Sequence, residues 1–155
     1  MSNEHTKTLD KIEIKETIAK FAYYADHREW DALTNLFTEE VRVDYTSLAG
    51  GEPGTVPASA LVANWNQSLT PLKITQHYIS NHIVEFTNEQ KAICRAYFHA
   101  MHEYPNSFGE DQWVLGGTYT FTLIKQNQAW NISEITMTAR WASGNQNILN
   151  LANPS

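Results

Sequence analysis

Residues 91–104 read Lys91-Ala92-Ile93-Cys94-Arg95-Ala96-Tyr97-Phe98-His99-Ala100-Met101-His102-Glu103-Tyr104. Side chains alternate across a β-strand, so Ala92, Cys94, Ala96, Phe98, Ala100, His102 and Tyr104 share one face. That face is apolar and mostly small. Small inward residues leave volume, and volume beside a histidine makes a pocket candidate, with Phe98 as an apolar wall. A lone histidine on an apolar strand is also a common core residue, and this spacing alone leaves His102 open to both readings. The opposite face, with Arg95, Tyr97, His99, Met101 and Glu103, suits solvent or a subunit contact.

The same period of two extends in both directions. It predicts long strands over Thr75–Thr87, Gln112–Lys125 and Ala129–Trp141, with hairpin turns at 87–90 and 126–128 and a longer connection over 105–109. Upstream the period is helical. Ile14, Ile18, Phe21, Ala22 and Ala25 recur on one stripe and predict a helix over Ile12–Asp26. Shorter patterns predict helices over Trp30–Phe37 and Ala58–Leu69 and a strand over Val41–Tyr45, with a Gly- and Pro-rich loop at 49–54. Helices first and antiparallel strands afterwards is an α+β order, not a βαβ alternation. A curved sheet folded around the helices encloses a cavity between them. The Asn-rich tail, 145–155, either stays loosely ordered or closes the mouth of that cavity.

Composition narrows the function classes. A chain of 155 residues with 42% hydrophobic and 18% charged residues predicts a single globular domain over 1–155. Lys and Arg number 11 against 17 Asp and Glu, a formal charge of 11 − 17 = −6 without a basic cluster, which disfavours nucleic acid and anionic membranes as partners. A single cysteine, Cys94, rules out an internal disulfide framework and fits a reducing cytoplasm. The polar start of the chain, Met1 to Leu9, has no apolar signal-peptide region, and no apolar run nears the ~20 residues of a membrane span. These features predict a soluble cytoplasmic protein.

Six further positions carry possible chemistry. Asp26 lies one turn after Ala22, beside the apolar stripe; it is either a helix-terminal cap or a carboxylate in need of a buried partner. His77 opens a long strand, and its weight depends on whether it meets Asp26 and His102. Tyr45 ends the first strand on the face of Val43 and either presents its hydroxyl to a pocket or packs with a wet tip. Thr118, Thr120 and Thr122 share one strand face and are weaker ligand candidates. The six histidines include no metal-binding helical pair, and no phosphate-binding glycine fingerprint is present, so neither a metal nor another cofactor is expected.

The stretch from Tyr24 to Leu33, with Asp26 and the Trp30-Asp31 pair, resembles the first helix and turn of SnoaL-like proteins of the nuclear transport factor two-like superfamily. Asp44-Tyr45, Thr75-Gln76-His77, His102 and Arg140-Trp141 extend the likeness to the scytalone dehydratase pattern. Gly116-Gly117-Thr118-Tyr119-Thr120 is more similar to hexachlorocyclohexane dehydrochlorinase. The resemblance implies a cone-shaped α+β barrel and cofactor-free elimination from a small hydrophobic, cyclic or aromatic hydroxy-ketone. It implies His77 as general base, Asp26 as its orienting carboxylate, His102 as hydrogen-bond partner of Asp26 or proton donor, and Tyr45 as carbonyl polariser. Substrate contacts fall near Thr118 and Thr120. The dehydratases carry a tyrosine where this chain has Ala25, which leaves Tyr24 or another donor to substitute. The resemblance and the aromatic-rich composition together imply a homo-oligomer, a trimer rather than a dimer. Ligand binding without catalysis, and a polyketide- or steroid-type cyclase or isomerase, are the competing readings.

Overall fold

Asp10 explains why the first helix is longer than its apolar stripe suggests. The structure, a computed structural model, describes residues 4–155, and its first helix, α1, spans Glu4–Asp26 instead of starting at Ile12. Asp10 is buried, and its Oδ1 accepts hydrogen bonds from Lys125 Nζ at 2.8 Å and Trp130 Nε1 at 3.0 Å. These partners lie far along the chain and draw the polar start of the helix onto the sheet.

The chain continues through α2 (Trp30–Thr34), β1 (Phe37–Asp44), α3 (Thr46–Ala49), β2 (Gly54–Pro57) and α4 (Ala58–Leu69). The long strands β3 (Ile74–Asn88), β4 (Lys91–Glu103), β5 (Gln112–Gln126) and β6 (Ala129–Gly144) follow, then the short helix α5 (Ile148–Ala152). Phe37 begins β1 and does not end a helix, because the Ile132 N–H donates to the Leu36 carbonyl at 2.8 Å and Phe37 then runs in register beside Ile132. Asp44 turns the chain into α3 by accepting from the backbone N–H and hydroxyl of Thr46. β2 emerges from the end of the Gly/Pro loop and pairs Val56 with Val41.

One six-stranded sheet in the order β2-β1-β6-β5-β4-β3 results, antiparallel except at β1–β6. Register shifts mark bulges that bend their strands, one in β3 between Ser80 and Ile83 and one in β6, where Arg140 is the extra residue opposite Gly116 and Gly117. At Gly117 a Cβ would stand 1.9 Å from the Thr138 carbonyl oxygen, so the close strand approach requires glycine there. The sheet wraps the apolar faces of α1 and α4. On β4 the inward face is as the alternation predicts, with Ala92, Cys94, Ala96, Phe98, Ala100 and His102 all buried. The tail closes over the mouth: Ile148 is fully buried, and Asn153 Nδ2 donates to the Ser68 carbonyl at 3.0 Å. No helix among the described residues is long and apolar enough to cross a membrane.

Burial opposes the ionisation of Asp10, but the hydrogen bonds from Lys125 and Trp130 and the charge of Lys125 outweigh it and hold the carboxyl below its ordinary range. The folded state therefore binds fewer protons than the unfolded chain near pH 4. The stabilisation is complete above the ordinary value of 3.8 and fades as pH falls below it. Asp10→Ala should cost about 1–3 kcal/mol at neutral pH in urea unfolding, with part of that cost disappearing at pH 3. Equal stability of variant and parent at neutral pH would contradict this role.

Candidate active site

Asp26 is the last residue of α1, where the helix dipole disfavours a negative side chain. Three donors from β3 offset that disadvantage. Thr75 Oγ1 donates to Oδ1 at 3.0 Å, the His77 backbone N–H to Oδ2 at 2.8 Å, and His77 Nδ1 to Oδ1 at 2.7 Å. Asp26 is therefore not a helix cap; it is the acceptor that ties the helix to β3. A carboxylate only accepts, so in the neutral ring Nδ1 of His77 carries the proton and Nε2 keeps its lone pair.

Arg28 holds this arrangement from behind. Its backbone lies in the left-handed region at φ 57°, which turns the chain sharply out of the helix. Its guanidinium donates to the Asp26 carbonyl at 2.6 Å, to Thr75 Oγ1 at 3.1 Å, and to the carbonyls of Leu69 and Leu72 at 3.0 and 3.2 Å. One side chain thus joins the ends of α1 and α4 to the start of β3. Sequence reading gave Arg28 no role, because three of its four partners are backbone carbonyls that no motif encodes.

His77 faces a cavity of about 120 Å³ between the sheet and the helices. Its walls are Phe21, Ala22 and Ala25 from α1, Trp65 and Leu69 from α4, Phe98, Ala100 and His102 from β4, and Trp113, Leu115 and Tyr119 from β5. Tyr45, Leu48, Met137 and Leu149 complete them, so the tail does contribute to the closure. The rings of His77 and His102 meet edge to face, with centroids 5.6 Å apart. His102 does not bond Asp26: its Nδ1 donates to the Trp113 carbonyl at 3.3 Å. Burial, reinforced by repulsion from His77, lowers its pKa from 6.5 to about 4. His102 is therefore neutral near pH 7 with a bare Nε2, a hydrogen-bond acceptor and not the proton donor that the resemblance offered as one of two roles.

Tyr45 lines the cavity as expected, and its hydroxyl lies near that of Tyr119. Burial pushes Tyr45 well above its ordinary range; burial and the charge of Asp26 push Tyr119 up to about 12. Both remain phenols at neutral pH. Phe98 also lines the cavity, as expected. Thr118 and Thr120 do not. They stand opposite Tyr97 and Arg95 and share the outer face of the sheet with them, because it is the odd-numbered side chains of β5 that turn inward. Nor does Tyr24 reach the cavity: the helix turns Ala22 and Ala25 towards it and leaves Tyr24 packed against the core beside Tyr23. Tyr119 and Trp113 were missed as site residues. The apolar alternation Trp113, Leu115, Tyr119, Phe121 was the signal that could have found them. Trp113 also carries a buried indole N–H without a hydrogen-bond partner among the described residues.

Cys94 is buried, which pushes its thiol up to about 11 and keeps it unreactive. Among the described residues no group of three or more His, Cys, Asp or Glu side chains is placed to hold a metal ion.

Comparison with known proteins agrees with this architecture. The SnoaL-like domain profile matches residues 6–136, and the chain belongs to that family, within the nuclear transport factor two-like superfamily with its cystatin-like α+β fold. The structure of the Kfla4162 protein from Kribbella flavida is similar, with a TM-score of 0.85 and 27% identity over 94% of this chain and 98% of that one. A candidate scytalone dehydratase from Novosphingobium aromaticivorans matches at a TM-score of 0.82 and 21% identity, covering 93% of each chain. A type 2 hexachlorocyclohexane dehydrochlorinase (LinA) matches at 0.78 and 14% identity, over 94% of this chain and 95% of that one. At those last two identities the likeness establishes the fold alone. No curated protein matches the sequence.

The buried, neutral state of His102 is open to direct measurement. Between pH 4 and 6.5 the unfolded chain protonates this histidine and the folded protein does not, so stability falls as pH drops through that window. In an NMR titration the His102 ring signals should move with a midpoint near pH 4. A midpoint near 6.5 would show a solvated ring and contradict the dry cavity.

Proposed function

We propose that this protein is a cofactor-free lyase that eliminates water from a small cyclic or aromatic hydroxy-ketone. The observation that carries this reading is the Asp26–His77 pair, bonded at 2.7 Å against the wall of a largely apolar cavity. Nε2 of His77 takes a proton from the carbon next to the carbonyl, and the electron pair moves onto the carbonyl oxygen as an enolate. Asp26 keeps the ring in the required tautomer and stabilises the imidazolium, as a carboxylate does in a catalytic triad. A phenol hydroxyl from the Tyr45–Tyr119 pair supports the enolate oxygen. The enolate then collapses, the carbon–oxygen bond to the β-hydroxyl breaks, and the imidazolium returns its proton to the departing hydroxide. The products are an enone and water, and one imidazole carries the proton both in and out.

His102 enters as an acceptor. Its bare Nε2 suits the hydrogen of the substrate hydroxyl and would hold the leaving group near His77. The cavity volume of about 120 Å³ sets the substrate size. An apolar cavity of roughly 150 Å³ is known to hold benzene, which favours a single six-membered ring over a fused pair. Return of the proton to a different carbon would make the same machinery an isomerase, and product analysis separates the two. The reading includes self-association as a trimer, supported by the exposed rings of Tyr78, Tyr97 and Trp141 on the outer face of the sheet.

Wild-type protein should convert single-ring β-hydroxy-ketones to enones, followed by the growth of enone absorbance. His77→Ala should lower kcat by ~10²–10⁴-fold in protein that still folds, with a modest drop in melting temperature from the lost ring bond to Asp26. Full turnover in a folded His77→Ala variant would refute the assignment.

A further inference from the structure

Arg28 takes no step in the reaction proposed above, but its hydrogen bonds lead to the reacting pair. Each terminal nitrogen of a guanidinium carries two hydrogens. Nη1 donates to the Asp26 carbonyl and to Thr75 Oγ1, and Nη2 to the carbonyls of Leu69 and Leu72, so all four hydrogens are used. The acceptors are uncharged, and the one side chain among them is Thr75. That residue is only 4% exposed and donates in turn to Asp26 Oδ1, the oxygen that also holds His77 Nδ1. The backbone of Arg28 is left-handed at φ 57°, a conformation that glycine adopts freely and arginine only at a cost. Strain of that kind persists where the surroundings hold the residue in place, and here its own side-chain bonds do so.

We propose that Arg28 is a positioning residue for the Asp26–His77 pair and acts on it through the hydroxyl of Thr75. This inference rests on the reading of His77 as the base. The direction of each bond follows from what the groups can give. A guanidinium only donates, so Thr75 turns an oxygen lone pair towards Arg28. A carboxylate only accepts, so the single proton of the Thr75 hydroxyl goes to Asp26 Oδ1. Without Arg28 the hydroxyl is free to rotate, and that proton is no longer committed to Asp26. The other two donors to the carboxylate, a backbone N–H and a ring N–H, both belong to His77. Thr75 is therefore the donor that holds Asp26 independently of the histidine that Asp26 has to orient. A carboxylate held in this way keeps its place while the imidazole gains and returns a proton, which is the condition for efficient positioning. Leu69 accepts from Arg28 and also lines the cavity, so the same side chain ties the pair to the wall opposite the sheet. Lysine offers three donors from a single point and cannot span these four acceptors.

Two variants of Thr75 separate its hydroxyl from its packing. Thr75→Val keeps the shape and removes the hydroxyl; Thr75→Ser keeps the hydroxyl and removes a methyl group. On a hydroxy-ketone that turns over, Thr75→Val should lower kcat by ~10–10²-fold with little change in KM, and Thr75→Ser should keep most of the rate. Packing alone would give the opposite order. Arg28→Gly suits the left-handed backbone and removes the guanidinium. It should lower kcat by a similar factor, and millimolar guanidinium chloride should restore part of the rate where methylammonium chloride does not. In the Thr75→Val background, Arg28→Gly should cost little more, and guanidinium should restore nothing. One readout needs no substrate. In ¹⁵N-histidine-labelled protein the Nδ1–H signal of His77 should broaden through exchange with water in Thr75→Val and Arg28→Gly, and should match wild type in Thr75→Ser. Should Arg28→Gly fail to fold, the two Thr75 variants still decide. Wild-type kcat with an unchanged His77 signal in Thr75→Val, equal losses in Thr75→Val and Thr75→Ser, or fully additive losses in the double variant would overturn the proposal. The change in the His77 signal without turnover of any hydroxy-ketone would sustain the positioning role and refute the elimination. Turnover abolished by His77→Ala but untouched by Thr75→Val would do the reverse.

Discussion

A carboxylate at the wrong end of a helix organises the candidate site. Asp26 sits where the carbonyl ends of α1 converge, and it is held there by Thr75, the His77 backbone and the His77 ring. These bonds have a structural and a chemical consequence together. They fasten the last turn of α1 to the edge strand β3, which closes the cone along that seam. They also fix which nitrogen of His77 bears hydrogen. The Arg28 guanidinium shares Thr75 with Asp26 and anchors the end of α4 to the same point, so the helix ends and the strand form one hydrogen-bonded unit.

Beyond the Asp26–His77 pair the cavity is lined by neutral groups. Burial makes charge costly, and the ionisable side chains there respond by staying uncharged: His102 as imidazole, Tyr45 and Tyr119 as phenols. Such a wall does not attract a charged ligand. It suits an uncharged ligand, in keeping with the proposed hydroxy-ketone. The rings of Trp65, Phe98, Trp113 and Tyr119 hold the volume near 120 Å³, and Leu149 from the tail adds to the lining.

Much of this was legible in the chain. The inward face of β4 follows from alternation, since every second residue from Ala92 to His102 is buried. The α+β order and the long strands follow from the change of period near Ile74. The meeting of Asp26 with His77 does not, because it spans 51 residues and no local pattern encodes it. The resemblance supplied that pairing. The same resemblance misplaced the substrate contacts on Thr118 and Thr120, although the alternation of β5 turns Tyr119 inward. Tertiary partners also decided what local patterns could not. Asp10 extends α1 through Lys125 and Trp130, Ile132 converts Phe37 from helix to strand, and the burial of Ile148 gives the polar tail a helix. Asp26 in the last turn of a helix, against the dipole and with no basic residue nearby in that turn, was the one local hint of an unusual role.

The most direct measurement is the protonation pattern of the His77 ring, read by ¹⁵N NMR in histidine-labelled protein under conditions where the ring is neutral. The account predicts hydrogen on Nδ1 and a bare Nε2, with that preference weakened when Asp26 is replaced by asparagine. Hydrogen on Nε2 in the wild-type protein would mean that the lone pair points at Asp26 and away from the cavity, and the proposed base would not exist.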